Sequence, residues 1–508
     1  MTPPVVVVGA GPTGAAAAIA LGQRGVECLV LDRWDDVYPQ PRAVHLDDEV
    51  ARLLAQLGVA EQFGAISRPG EGLRLVTPAL HVLAELPRGG VSPVHGYPRA
   101  SMFDQPDLER VLRERLGVLP SVQLCPGQEV TGVEQVRPGR VRVRHRDRAT
   151  GVEHSIDAAV VLGCDGANSL VRDAIGARMH DLGFSQRWLV IDVDTPVDLG
   201  HWGGVHQVCD GRRAATYMQI GATRHRWEVQ LREGETADRF ATLEALAPLL
   251  APWLDDVPLG RLTLLRSVEY TFRAAVADRW RSGRVLLLGD AAHLTPPFIG
   301  QGLGAGLRDA ANLAWKLAGV LDGTLAEDAL DSYEEERAPH ARAMVRLAQA
   351  VGVVMTGGGR AGDVLRRAGV PLLLRAPGGL RRRASDSTTP ALRGTTLVAG
   401  DRADRLAGSL CPDLLGDGTR YDAVVGPVWA LVTTEPAAPS AVGDLTSRGV
   451  TVLDATSRPA LAAWLRGGGA VAALVRPDGV VLASGRHVPS VVARATPLLA
   501  PLPAEVTA

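Results

Sequence analysis

The chain has 508 residues, 46% of them hydrophobic, with 54 Lys and Arg against 56 Asp and Glu. That is the composition of a folded protein of several domains and excludes a disordered or fibrous chain. A formal charge of −2 supplies no basic field for nucleic acid, and five scattered cysteines without a C-x-x-C pair suggest neither a disulfide framework nor a zinc site. Aromatic residues make up only 4% while glycines number 57, so the backbone is expected to close tightly somewhere.

Val5 to Leu21 is mostly apolar, but no Lys or Arg precedes it and Gly9-Ala10-Gly11-Pro12-Thr13-Gly14 interrupts it. It reads as a buried strand and a helix, not as a secretory signal. No later stretch is long and apolar enough to span a bilayer, so a cytoplasmic protein with neither membrane nor nucleic-acid partners is expected. Val5 to Val8, Ala15 to Gln23 and Cys28 to Leu31 then form a β-α-β unit of about 30 residues, the size of a parallel crossover. Apolar spacing predicts helices at Asp47 to Leu57 and Pro106 to Leu116, with strand-like chain from Glu71 to Arg99 between them. Alternation at Val141-Arg142-Val143-Arg144-His145 predicts half-exposed strands, followed by a buried one at Ala158 to Leu162.

Met179 to Val276 reads mostly as strands (Trp188 to Val193, Ala214 to Ile220, Trp227 to Leu231) around a helix near Arg239 to Leu250. Arg284 to Leu288 is another buried strand, and helices follow at Gly302 to Leu321 and Tyr333 to Val351. Pro377-Gly378-Gly379 and Arg381-Arg382-Arg383 mark a linker, with the triplet read as solvated. Beyond it, Asp422 to Thr433 and Val450 to Asp454 read as strands and Ala460 to Arg466 as a helix. Ala470 to Leu482 reads as a hairpin turning at Pro477-Asp478-Gly479.

Gly9-x-Gly11-x-x-Gly14 between a strand and a helix, with Asp32 ending the next strand, is a dinucleotide-binding arrangement. Gly9 allows the turn, Gly11 lets backbone approach a pyrophosphate, Gly14 permits close packing, and the helix N-terminus attracts the phosphates. Asp32 is expected to accept from ribose hydroxyls. This loop alone leaves NAD and FAD both open.

Two further strings follow strands: Leu162-Gly163-Cys164-Asp165-Gly166-Ala167-Asn168-Ser169 with Arg172, and Gly289-Asp290-Ala291-Ala292-His293 with Pro296-Pro297 and Gly300-Gln301-Gly302. At these residues the chain resembles the single-component FAD-dependent aromatic hydroxylases, the family of para-hydroxybenzoate hydroxylase. Pro41 to Glu49, Gln105 to Glu109, Gln207 to Asp210 and Arg226-Trp227-Glu228 resemble the 3-(3-hydroxyphenyl)propionate hydroxylase-like members. The resemblance implies an α/β fold: a Rossmann-like FAD-binding domain (1–75, 100–178, 277–352), an inserted β-rich substrate domain (76–99, 179–276), a linker and helical region (353–395) and a thioredoxin-like C-terminal domain without C-x-x-C (396–508). The last is expected to pack against the body or a second subunit, as in a homodimer.

By the same resemblance, bound FAD is held by Gly9, Gly11, Pro12, Thr13, Gly14, Asp32, Arg33, Arg42, Gln105, Asp165, Gly166, Gly289, Asp290, Gly302 and Leu303, and NAD(P)H visits transiently. Many relatives carry Asn where this chain has Gly304, a departure read as variation. The implied reaction is hydroxylation of a small aromatic substrate by O2 through a flavin C4a-hydroperoxide. The substrate is phenylpropionate-like or a larger phenol of secondary metabolism. Epoxidation, Baeyer–Villiger insertion and a non-catalytic binding role are the alternatives. Proton acceptors by residue type are His45, His206, Tyr217 and His293, the last more naturally a brace for its loop. Pro296 and Pro297 are expected as rigid walls beside the reacting ring. Trp188, Trp202, Tyr217 and Trp227 are the aromatic residues expected to shape a pocket.

Overall fold

The computed structural model describes residues 3–40, 42–357, 389–399 and 404–495, with Gly359 and Gly362. Most of the expected linker, including the Gly378-Gly379 and Arg381 to Arg383 strings, lies outside these residues.

Val5–Val8 is a four-residue, fully buried strand, as a β-branched run covered on both faces should be. It lies inside a six-stranded sheet whose order is Arg281–Ser282, Val285–Leu287, Val160–Gly163, Val5–Val8, Cys28–Leu31, Val122–Cys125. All but the short Arg281–Ser282 strand are parallel. The Ala-rich helix Pro12–Gly22 packs close to the helix Gly302–Asp322, where a side chain on Gly306 would sit 2.2 Å from Thr13 Oγ1. Three adjacent strands, Val285–Leu287, Val160–Gly163 and Val5–Val8, thus bring the glycine loop, the Asp165-Gly166 turn and the Gly289-Asp290 turn to one sheet edge, at their C-terminal ends. This is the edge where open α/β sheets bind ligands.

An eight-stranded sheet runs in the order His293–Leu294, Thr263–Ala277, Met179–Asp194, Arg224–Gln230, Ala215–Gln219, Val205–Val208, Gly72–Val76, Val82–Pro87. Its register pairs Val190 with Glu228 and Asp192 with Arg226. One face packs Leu189, Ile191, Tyr217, Trp227 and Val229 under the helix Leu243–Leu254. The other turns toward the six-stranded sheet. The break expected between residues 75 and 76 falls inside Gly72–Val76, which pairs with Val205–Val208 and Val82–Pro87. Arg140–Asp147 is central in a three-stranded sheet, with Val141, Val143 and His145 buried and the arginines outward, as alternation requires.

The C-terminal residues form a four-stranded mixed sheet ordered Thr451–Asp454, Ala430–Thr433, Ala472–Val475, Val481–Gly485. The strand read at Asp422 to Thr433 is corrected: Tyr421–Val425 is a short helix and only Ala430–Thr433 is extended. The reason is tertiary, because Asp422 turns inward to a 2.7 Å pair with the buried Arg52. A second tie is Arg476, which meets Glu336 at 2.8 Å, while Lys316 meets the same carboxylate at 2.9 Å. These groups join the C-terminal sheet to the helix Asp331–Thr356 through fully buried charge. All five cysteines are free, and among the described residues no helix is long and apolar enough to cross a membrane.

Candidate active site

Between the ligand-binding edge of the parallel sheet and the second face of the eight-stranded sheet lies a cavity of about 480 Å3. One wall is built by the signature loops, which place Gly11, Pro12, Thr13, Cys164, Gly166, Asp290, Pro297, Gly302 and Leu303 on it. The facing wall is Val190, Arg226, Glu228, Arg266, Val268, Tyr270 and Phe272, with Tyr38, Arg42, His45 and Gln105 along the side.

The glycines divide by task. Gly9 has φ +98°, and a β-carbon there would lie 2.5 Å from the Cys164 carbonyl oxygen; one on Gly14 would lie 2.0 Å from the Gly9 carbonyl oxygen. Gly11, by contrast, meets nothing within 4 Å, so its missing side chain leaves space for something other than protein. It also begins the helix Pro12–Gly22, whose N-terminus has no side-chain cap; the helix Gly302–Asp322, on the same wall, has none either. Two uncapped N-termini aimed at one cavity carry the partial positive charge and free N–H groups that phosphates take.

Asp32 is tied inward: Oδ2 accepts from the Ala10 amide at 2.6 Å and Oδ1 from Trp34 at 2.8 Å, so it locks the glycine loop to the second strand. Arg33 does not line the cavity and lies over the Trp34 ring. Gln105 Oε1 accepts from Ala43 N at 2.7 Å and from Arg42 N at 3.3 Å, which positions the Arg42 segment. Asp165 accepts from Ser169 Oγ at 2.5 Å and Val171 N at 3.0 Å, and it props the turn that presents Gly166. Asp290 lines the cavity and accepts no hydrogen bond among the described residues; burial pushes its carboxyl up, opposed by His293 and Arg42. Behind it, Asp309 accepts from Gly289 N at 3.0 Å, His293 Nε2 at 2.8 Å and Arg337 Nε at 2.8 Å. His293 is therefore a fully buried brace for the loop.

His45 stands on the cavity wall beside Gly300, and burial lowers its imidazole to about 4, so it is neutral at pH 7. Pro297 is on the wall, and the buried Pro296 precedes it. His206 and Tyr217 are corrected as candidate bases. They point to the opposite face of the eight-stranded sheet, where Tyr217 Oη meets His225 Nδ1 at 3.0 Å and Trp253 Nε1 donates to His206 Nδ1 at 3.4 Å. Trp227 shares that core, Trp202 stacks on His206, and Trp188 packs on Phe272 and Phe298. The aromatic rings on the cavity are instead Tyr38, Tyr270 and Phe272. A side chain at Gly304 would meet Arg308 Nη1 at 2.9 Å and Val50 Cγ2 at 3.0 Å, so that position faces packed protein in this chain.

Sequence reasoning missed the facing wall's charged groups. Arg226 binds Asp192 through Nε and Nη2, at 2.7 and 3.0 Å, while its Nη1 donates to the Arg42 carbonyl at 3.0 Å. Arg266 reaches the same Asp192 at 2.9 Å. The signal was the Arg226-Trp227-Glu228 string, in which the two charged residues share one face of the strand.

These features define a flavin-type dinucleotide site: a glycine loop, two free helix N-termini and an unpaired carboxylate across a cavity from a sheet. Comparison with known proteins agrees. Residues 2–348 match the "FAD binding domain" family. The chain is 38% identical over 380 residues to the 3-(3-hydroxy-phenyl)propionate/3-hydroxycinnamic acid hydroxylase of Burkholderia cenocepacia (strain HI2424), covering 74% of this chain and 68% of the relative. It is 32% identical over 519 residues to a probable NADH-specific resorcinol 4-hydroxylase of Rhodococcus jostii (strain RHA1), covering 98% of this chain and 94% of the relative. Its fold matches that of aklavinone-11 hydroxylase in complex with FAD and aklavinone, at a TM-score of 0.80 and 24% identity over 98% of this chain and 99% of the other. The chain belongs to the FAD-binding family of flavoprotein aromatic hydroxylases, and it is an FAD-dependent monooxygenase.

Proposed function

We propose that this monooxygenase uses NADH or NADPH and O2 to place one oxygen atom on the ring of a small phenol. The observation that carries the reading is the cavity itself, with the three FAD signatures on one wall and a sheet face carrying Tyr270, Phe272, Arg226 and Glu228 on the other. FAD, when bound, supplies the hydride acceptor and the oxygen activation that a closed-shell ring needs.

The protein's part is to bind, orient and keep water out. Gly11, Thr13 and the two helix N-termini take the pyrophosphate. Asp32 keeps the glycine loop in shape at the ribose end, and Asp290, held by the Asp309 brace, takes a hydroxyl of the ribityl chain. Asp165 and Gly166 shape the turn beneath the pyrophosphate, and Gln105 sets the Arg42 segment along the cofactor. Pro297, Pro296 and His45 wall the side where the substrate ring lies, with Val190, Val268 and Phe272 as an apolar ceiling.

The chain divides on this reading into an FAD-binding body, a ceiling sheet contributed by roughly residues 72–99 and 179–276, and a thioredoxin-like C-terminal module. The order β-α-β-α-β-β-α between Ala430 and Ala495, with the third strand antiparallel, supports the last assignment. It has no C-x-x-C, and its Cys411 is buried, which makes it a packing module without dithiol chemistry.

The test is direct. Purified protein is expected to carry yellow flavin absorbance, to oxidise NAD(P)H faster when a phenol is added, and to give a product one labelled oxygen heavier under 18O2 as a ring hydroxyl. Protein that takes up no FAD, or whose product is an ester or epoxide, overturns the reading.

A further inference from the structure

The buried carboxyl of Glu228 is not among the groups assigned to the cofactor. It lies on the facing wall of the cavity, 8% exposed, and makes no hydrogen bond or ion pair among the described residues. The two arginines beside it are engaged by another carboxylate, since Asp192 takes Arg226 through two hydrogen bonds and Arg266 at 2.9 Å. An acid on a strand could be expected to swing to solvent, but Glu228 is fixed on the inward face, opposite Val190 and Thr216 in the register of its neighbours. A carboxyl that faces a cavity with no protein partner takes its hydrogen bond from whatever fills that cavity.

Resting on the hydroxylase reading, we propose that Glu228 accepts the hydrogen bond and then the proton of the ring hydroxyl of an uncharged phenol. The phenol O–H bond breaks and a carboxyl O–H bond forms. The electron pair stays on the phenolate oxygen, raising the ring's electron density for oxygen transfer. No oxidant or reductant is needed for this step, and the cavity's net charge does not change. Burial pushes the Glu228 carboxyl up, partly offset by Arg226 and Arg266, the direction that makes a carboxylate a better base near neutral pH.

The same wall argues against a substrate that carries its own carboxylate. Arg226 and Arg266 on the cavity are held by Asp192, Glu269 is held by Arg187, and Arg42, which makes no ion pair among the described residues, stands with the segment set by Gln105. Both arginines beside Glu228 are thus engaged by Asp192, and Glu228 would repel a second carboxylate placed next to it.

The experiment compares resorcinol, an uncharged diphenol, with 3-(3-hydroxyphenyl)propionate, using wild-type holoenzyme and Glu228→Gln. The readouts are product formation per NAD(P)H consumed and perturbation of the flavin spectrum on binding. Wild type is expected to have a kcat/KM at least tenfold higher for resorcinol. Glu228→Gln, with FAD content unchanged, is expected to lose at least tenfold in kcat for resorcinol and to narrow the preference at least tenfold. A wild type that prefers the carboxylated phenol, or a variant that keeps kcat and preference, overturns the proposal. If Glu228→Gln fails to retain FAD, the pH profile of wild-type kcat for resorcinol decides it: a rate that does not fall as acid protonates the carboxyl overturns the proposal. If resorcinol and the acid both perturb the flavin spectrum but neither is hydroxylated, the hydroxylase reading fails, and the Glu228 role fails with it. If the hydroxylase reading holds and only the preference is reversed, the Glu228 role fails by itself.

Discussion

Gly11 and Gly14 sit three residues apart in one loop, yet the structure gives them opposite reasons for being glycine, and substituting each with alanine separates folding from binding. At Gly14 a β-carbon would lie 2.0 Å from the Gly9 carbonyl oxygen, against an ordinary contact above about 3.4 Å, so helix and loop must part by more than an ångström. Overpacking of this kind costs about 1–3 kcal/mol, felt with or without cofactor. At Gly11 the β-carbon meets nothing within 4 Å, and φ of −64° with extended ψ suits alanine. Gly11→Ala is therefore expected to leave the stability of the apoprotein within about 0.5 kcal/mol. On the proposed placement of FAD, the added methyl group instead occupies the space through which the pyrophosphate would approach the N–H groups. Losing one charge-assisted hydrogen bond is worth about 1.5–3 kcal/mol, or roughly ten- to hundredfold in Kd. Urea unfolding of apoprotein and FAD titration by flavin fluorescence quenching measure the two quantities. A Gly11→Ala protein that binds FAD like wild type, or a Gly14→Ala apoprotein of unchanged stability, would refute the division of labour.

The Asp290 and Asp309 carboxylates should separate in the same way. Asp290→Ala is expected to fold normally and lose FAD on gel filtration, and wild-type flavin content would show its role to be wrong. Asp309→Ala strips partners from Gly289 N, His293 and the buried Arg337, and leaving that cation unpaired should cost about 3–5 kcal/mol in urea unfolding as well as flavin. Arg476→Ala should cost a similar amount by removing the bridge to Glu336, yet leave FAD stoichiometry unchanged, since it acts only where the C-terminal sheet meets the body. An unchanged urea midpoint would show that bridge to be idle. His225, lowered to about 4 by burial and then Arg68, is neutral when folded but takes a proton near pH 6.5 when unfolded. The unfolded state thus binds more protons as pH falls from 6.5 toward 4, and wild type should lose about 2 kcal/mol relative to His225→Gln between pH 7 and pH 5. Parallel urea midpoints at the two pH values would contradict this.

The cofactor wall was legible because its signals are local. Gly9 to Gly14, Asp165-Gly166 and Gly289-Asp290 each read as the turn at the end of a buried strand. Parallel pairing of Val5–Val8, Val160–Gly163 and Val285–Leu287 then brings three distant strings together at one edge. Asp32 was legible as the end of the second strand, but its hydrogen bond to the Ala10 amide was not, because that contact depends on how two loops meet. Gly289 and Gly306 carry a similar non-local meaning, since both make room for Thr13.

The opposite wall was hidden for a different reason. A strand's alternation sorts Arg226 and Glu228 from His225 and Trp227 but does not say which set faces inward, and charged residues on a strand are ordinarily the outward ones. Here both faces are covered: one by the helix Leu243–Leu254, the other by the loops of the cofactor wall, from residues 11–45, 164–166 and 288–303. That assigned the conspicuous rings to the wrong side. Trp227 and Tyr217 are core filling and Trp188 packs behind the cavity, which leaves Tyr38, Tyr270 and Phe272, among the described residues, as the Tyr, Phe and Trp rings on it. With so few aromatic surfaces for stacking, selection among phenols falls to the polar groups of the ceiling. If Glu228 has the proposed role, the site is expected to read the hydroxyl of its substrate more than the ring, in keeping with the scarcity of aromatic residues in the composition.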